Sequence, residues 1–313
     1  MFGRIIIAVM PWRKGNRLQL MPESEASPRV REIYTSIRQT LKLPSVATFF
    51  QAYGMEPTLL DMFWTAAEPI AKTQRFAECS DRLRADCFTR VHNYFAIPDF
   101  CEQMREEHFS PGALAELQNS IELFYISVPM TLLLAAFQLR GFDGPVGDPK
   151  VPRETFSPTW SFHKPIFIDE EKASPLVHKV YEEMKRQFET HVVHRMYRSF
   201  ARFPDFLIKY WDTLRVIVQS PLYSRFEHEV RITAEQLTYE LPGPFDVSSE
   251  KLLAAGVQME EVTSMVRITE VFERSLPSTL LNVCVAKIGI EGGSRKFANG
   301  NSQPEPTQVT GTD

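Results

Sequence analysis

Apolar residues recur at helical spacing through most of the chain. Behind Ser27-Pro28, positions Val30, Ile33, Tyr34, Ile37 and Leu41 fall at i, i+3, i+4, i+7 intervals, the pattern of a helix with one buried stripe. Ser27 is placed to cap this helix, and Pro28 fits its first position, where a missing N–H costs nothing. Pro57 opens a second helix with Leu60 and Trp64 four residues apart on one face. Such stripes of Leu, Phe and Trp are core. No strand-like alternation competes with this periodicity, so an all-α fold is expected.

The same pattern is written twice. Glu23, Ala26-Ser27-Pro28, Val30 and Tyr34 recur as Glu170, Ala173-Ser174-Pro175, Val177 and Tyr181. At the same offset of 147, Val46, Pro57, Leu60, Trp64 and Arg84 recur as Val193, Pro204, Leu207, Trp211 and Arg231. One inserted residue later, Glu122, Phe124, Ser127, Pro129 and Thr131-Leu132-Leu133 return as Glu270, Phe272, Ser275, Pro277 and Thr279-Leu280-Leu281. The expectation is a pseudo-twofold tandem duplication of a helical repeat of about 130 residues. Pro129 and Pro277 lie inside apolar helical runs and are expected to kink them, each removing one backbone donor.

Five segments follow: an N-terminal extension over 1–22, repeat 1 over 23–141, a linker over 142–169, repeat 2 over 170–291, and a tail over 292–313. The linker holds Pro145, Pro149, Pro152, Pro158 and Pro165, a density that forbids a helix and favours an extended strap. The Gly-, Asn- and Pro-rich tail offers little apolar surface and is expected to be disordered.

Composition removes several function classes. The chain has 313 residues and a net charge of −4, so no basic field invites nucleic acid or anionic lipid. The apolar run Ile5–Met10 is too short for a signal core, and no apolar stretch approaches the ~20 residues of a membrane span. Cys79, Cys87, Cys101 and Cys284 show no C-x-x-C spacing and read as buried thiols of a cytoplasmic protein. His191 and His194 are three apart, but no further ligand has compatible spacing, so neither a metal nor another cofactor is expected. Nucleotide-binding, esterase and metalloprotease motifs are absent from the sequence.

The order of motifs resembles the DehI-type halocarboxylic acid dehalogenases. The likeness is carried by Ile33-Tyr34 with Arg38, Thr40-Leu41 and Leu43-Pro44, by the Pro57/Leu60/Trp64 helix, and by Leu253-Ala254-Ala255-Gly256 with Glu260-Glu261-Val262. It spans roughly residues 23–290 and includes the duplication. The resemblance implies two helical repeats joined by a long loop, and hydrolysis of 2-haloalkanoic acids of either configuration. It implies no metal and no covalent intermediate, with an aspartate activating water.

Residue by residue, the implied site is altered. The aspartate precedes the second-repeat proline by eight residues, which is Met196 here, and a thioether cannot accept a proton. The family's asparagine falls at Val128, a tyrosine at Thr131, and its aromatic wall at Ser45 and Thr48. Helical spacing puts Ser45, Thr48 and Phe49 on one stripe, with Thr131 and Thr279 behind the paired prolines. The expected cleft is apolar with one guanidinium, Arg195, which either clamps a carboxylate through two N–H bonds or faces solvent beside Glu189. His194, Glu122 and Glu270 are weak candidates for a displaced base, although His194 lies about 200° around a helix from Met196. The expected partner is a small apolar molecule, with a carboxylate group and a homo-oligomer both left open. Three functions remain: altered chemistry on an inherited scaffold, haloacid hydrolysis with a relocated base, and ligand binding or partner docking without catalysis.

Overall fold

The computed structural model describes residues 18–105 and 109–294. These form an all-helical fold: three isolated bridges, Thr73 with Thr155, Val146 with Phe245 and Asp148 with Pro242, are the β pairing found among the described residues.

Six helices precede the Pro-rich segment: α1 (Pro28–Leu41), α2 (Thr48–Tyr53), α3 (Pro57–Ala71), α4 (Gln74–Tyr94), α5 (Phe100–Arg105) and α6 (Pro111–Gly141). Six follow it: α7 (Pro175–Gln187), α8 (Arg195–Phe200), α9 (Pro204–Ile217), α10 (Pro221–Leu237), α11 (Ser249–Ala254) and α12 (Met259–Ile290). Local chemistry fixes the starts. Ser27 Oγ accepts from Val30 N and Ser174 Oγ from Val177 N, each at 3.4 Å with proline at the first position. Pro57 and Pro204 open α3 and α9.

α6 and α12, of 31 and 32 residues, pack along each other as the central pair. Helix continues through Pro129 and Pro277, where the missing N–H leaves the Tyr125 and Glu273 carbonyls without their helical donor. From Val128 to Gln138 every residue of α6 is buried, so the helix is apolar on all sides and enclosed by others. It is also long and apolar enough to cross a membrane, a length of apolar sequence not anticipated because Pro129 interrupts it, but 89% of its most apolar window is buried inside the fold. α2 packs on α12 and α8 on α6, so each short helix sits on the opposite half's long one.

Trp64 and Trp211 are each 3% exposed, with indole N–H groups donating to Ser36 Oγ (2.9 Å) and Glu183 Oε2 (2.8 Å). Truncating either to Ala should cost about 3–5 kcal/mol.

The segment boundaries need two adjustments. Met21 belongs to the body: its N–H donates to Gln51 O (2.9 Å) and its carbonyl accepts from Tyr34 Oη (2.9 Å). At the other end, the expected tail begins too early. Ser294 is buried, its N–H donates to Ile97 O (2.9 Å), and its hydroxyl accepts from Ile97 N (2.9 Å) while donating to Phe95 O (2.7 Å). Polar backbone pairing, invisible to apolar periodicity, orders these residues. The remainder of the tail, 295–313, and residues 1–17 lie outside the described residues.

Candidate functional site

The repeated acids Glu23 and Glu170 shape the two loops that carry the candidate residues. Glu23 Oε1 accepts from Val46 N (3.1 Å) while Oε2 pairs with Arg38 (3.3 Å). Glu170 Oε1 accepts from Val193 N (3.2 Å) while Oε2 pairs with Lys185 (2.8 Å). Two orphan amides before short helices are thereby satisfied, which fixes Ser45 to Thr48 on one side and His194 to Met196 on the other.

These loops meet. Arg195 Nη1 donates to Val46 O at 2.9 Å, and Nη2 to Ser45 Oγ at 3.2 Å. Its guanidinium also lies 4.5 Å over the Phe167 ring, a contact of the cation–π kind. Arg195 neither faces solvent nor reaches Glu189; among the described residues it forms no ion pair, and burial followed by Arg198 lowers its pKa. A guanidinium held this way stays charged and retains electrostatic demand for an anion.

Met196 is fully buried in the first turn of α8. His194 caps that helix: its Nδ1 accepts from Met196 N at 3.2 Å. The helical separation expected for His194 and Met196 is corrected, because His194 precedes the helix and sits directly against Met196's amide. Phe124 and Tyr197 stand edge-on to its ring at 6.1 and 6.3 Å. Burial first, and Arg195 second, push its pKa down to about 4. The imidazole is therefore neutral near pH 7, and the nitrogen facing the chain is already engaged, which makes it a weak base.

Ser45 and Thr48 do not share a helical stripe with Phe49. Ser45 precedes α2 and Thr48 is its first residue, because the Glu23 bond to Val46 holds the chain in a loop there. Phe49 is buried and packs edge-on to Phe272 of α12 at 5.4 Å. Val128, Thr131 and Thr279 are buried on the long helices, and both threonine hydroxyls turn back to carbonyls four residues earlier, Ser127 O (2.8 Å) and Ser275 O (3.2 Å).

Glu122 and Glu270 are not held in an apolar cleft. Glu122 forms a short ion pair with Lys287, and Glu270 lies 3.7 Å from Arg274, both with side chains more than a third exposed. Cations recruited to the helix surface satisfy these acids. No three His, Cys, Asp or Glu side chains gather as a metal site among the described residues.

A polar network in the second half was missed. Tyr223 Oη donates to Asn282 Oδ1 (2.7 Å), Asn282 Nδ2 to Tyr197 Oη (2.8 Å), and Tyr210 Oη to Asn282 O (2.9 Å). Glu227 lies beside it, where burial pushes its carboxyl up to about 7 and a hydrogen bond with Ser278 opposes the shift. A signal existed: Glu227 is four residues beyond Tyr223 and so on the same buried face of α10.

Comparison with known proteins places this arrangement. The family model "Halocarboxylic acid dehydrogenase DehI" matches residues 44–197, which contain Ser45, Thr48, Val128, Arg195 and Met196. The chain is 23% identical over 274 residues to an (R)-2-haloacid dehalogenase of Pseudomonas putida, covering 84% of this chain and 89% of that one. It is 24% identical over 265 residues to a configuration-inverting 2-haloacid dehalogenase of Alcaligenes xylosoxydans xylosoxydans, covering 80% and 83%. Among solved structures, a D-2-haloacid dehalogenase with L-LA superposes with a TM-score of 0.83, and a mutant complex with D-2-CPA with 0.82. Each is 22% identical, covering 88% of this chain and 97% of that chain. The all-helical fold is thus that of the haloacid dehalogenases. Over most of its length the chain is similar to the DehI-type haloacid dehalogenases, at low identity.

Proposed function

We propose that the chain is a tandem duplication whose halves enclose an apolar cleft for a small organic acid, with chemistry altered from hydrolytic 2-haloacid dehalogenation. The duplication is supported by hydrogen bonds that recur at a constant offset. Examples are Glu23 to Val46 and Glu170 to Val193, and Tyr34 to Met21 O and Tyr181 to Ile168 O. Arg195 is the carboxylate anchor: it stands where the two halves meet and forms no ion pair among the described residues, with Glu23 the one acid whose charge reaches it. Ser45, Thr48, Phe49, Val128, Thr131 and Thr279 line or support the cleft. Four buried cysteines fit a reducing, cytoplasmic setting.

One observation carries the altered chemistry. Met196 is 0% exposed at the position that the resemblance assigns to the water-activating aspartate. A thioether there packs well and accepts no proton, so the ~10²–10⁴-fold that a general base supplies is missing. Haloacid hydrolysis by a relocated base has little support, because Glu122 and Glu270 are engaged by cations and His194 is weakly basic.

Calorimetric titration of the whole protein with 2-chloropropionate tests the anchor. Saturable binding that falls at least 10-fold in Arg195→Gln is expected, the worth of a charge-assisted hydrogen bond. Equal binding by both proteins would remove Arg195 from the site.

A further inference from the structure

A second recess opens in the first half, and neither Val128 nor Thr131 lines it. Pro129 and Met130 of α6 form its floor, and Phe76 and Ser80 of α4 its wall. Phe156 and Trp160 of the Pro-rich segment form its roof. As it stands the recess is nearly filled, with room for about one water between these walls, and the wider 360 Å³ includes open solvent at its mouth. The roof is a lid attached at few points. Phe156 N donates to Lys72 O (2.8 Å), Gln74 N to Glu154 O (2.8 Å), and Trp160 Nε1 to Leu41 O (3.2 Å).

Ser80 is the anomaly in this recess. It is only 5% exposed, and its hydroxyl has no hydrogen-bond partner among the described residues. Several helical hydroxyls in the fold bond back to a carbonyl four residues earlier, as Ser120 does to Glu116 O (3.1 Å) and Thr233 to Glu229 O (2.9 Å). At the matching positions of the second half, Glu227 and Ser278 hydrogen-bond each other. In the first half those positions are Ser80 and Met130, so the hydroxyl keeps its place without a partner. A buried polar group left unpaired is costly, and a bound molecule can supply the missing bond.

We propose that this recess binds a small, mostly apolar molecule carrying one hydroxyl or carbonyl group, its body beneath Trp160 and its polar group on Ser80 Oγ. The site is separate from the Arg195 cleft and stands whether or not that reading holds. A charged head group is not required, because Arg84 at the mouth is already paired with Asp81 (2.8 Å) and lies 5.1 Å from the centre of the Tyr125 ring. Admission requires Trp160 to lift, which breaks its bond to Leu41 O while the Thr73–Thr155 bridge holds the strap beside it.

Saturation-transfer NMR titrations of the whole protein with phenol and with toluene test the proposal. The two probes share a ring and differ by the hydroxyl. Saturable phenol binding is expected, with toluene roughly 2–10-fold weaker, the worth of one neutral hydrogen bond. Ser80→Ala should abolish that preference, and Ala77→Phe, which fills the recess, should weaken both probes. Absence of saturable binding, or a phenol preference that survives in Ser80→Ala, would overturn the assignment. Should Ala77→Phe fail to fold, the Ser80→Ala comparison still decides.

Discussion

Arg195 donates a hydrogen bond to the hydroxyl of Ser45, 150 positions away in sequence, at 3.2 Å. The contact joins the first residue of α8 to the loop before α2, and so ties the two halves of the chain.

If that tie contributes to stability, the two side chains should couple. Ser45→Ala alone should cost about 0.5–1.5 kcal/mol, and Arg195→Ala about 1.5–3 kcal/mol because Val46 O also loses its donor. Urea denaturation of both single variants and the double variant measures the coupling. Additive losses would show that the bond contributes nothing.

Much of this was legible before any coordinates. Ser-Pro starts and the Leu60–Trp64 and Leu207–Trp211 spacings are local signals, and local signals survive in sequence. The repeated Glu23 and Glu170 were visible as a pair, but their role was not: each accepts an amide 23 residues away, beyond the range of helical periodicity. The Glu23 bond keeps Ser45 in a loop, off the helix that carries Thr48 and Phe49. Phe167, which lies under Arg195, sits in a segment with no period to read. Glu122 and Glu270 stood as candidate bases on their repeated position alone, and each faces a cation.

The pH dependence of stability should carry two opposing slopes. His194 has a folded pKa of about 4 against an ordinary 6.5, so the unfolded chain takes up a proton that the folded chain refuses. Stability present above pH 6.5 is lost as the pH falls toward 4, by about 3 kcal/mol at 1.36 kcal/mol per unit. Glu227 acts oppositely: its folded value of about 7 exceeds the ordinary 4.5, so stability falls as the pH rises through that window. Melting midpoints should therefore fall less steeply in acid for His194→Asn, which retains a capping side chain. For Glu227→Gln they should gain on the wild type at pH 8 more than at pH 5. Unchanged slopes in both variants would contradict these assignments.

Ser294→Ala should lower stability by about 1–3 kcal/mol, since Ile97 N loses its acceptor and Phe95 O its donor in a buried setting. The midpoint of urea unfolding measures it. An unaltered midpoint would return Gly292–Ser294 to the expected tail.

Halide release from the R and S forms of 2-chloropropionate and 2-bromopropionate tests the central claim most directly. With Met196 buried where the resemblance places the base and Val128 where it places the water-holding asparagine, the proposed reading is that the wild-type protein releases no halide above the buffer rate from any of the four. Met196→Asp combined with Val128→Asn should recover little, because Ser45 and Thr48 have also replaced the aromatic wall. Sustained, enzyme-dependent halide release by the wild type would contradict the account and show that the family's hydrolysis survives without its aspartate.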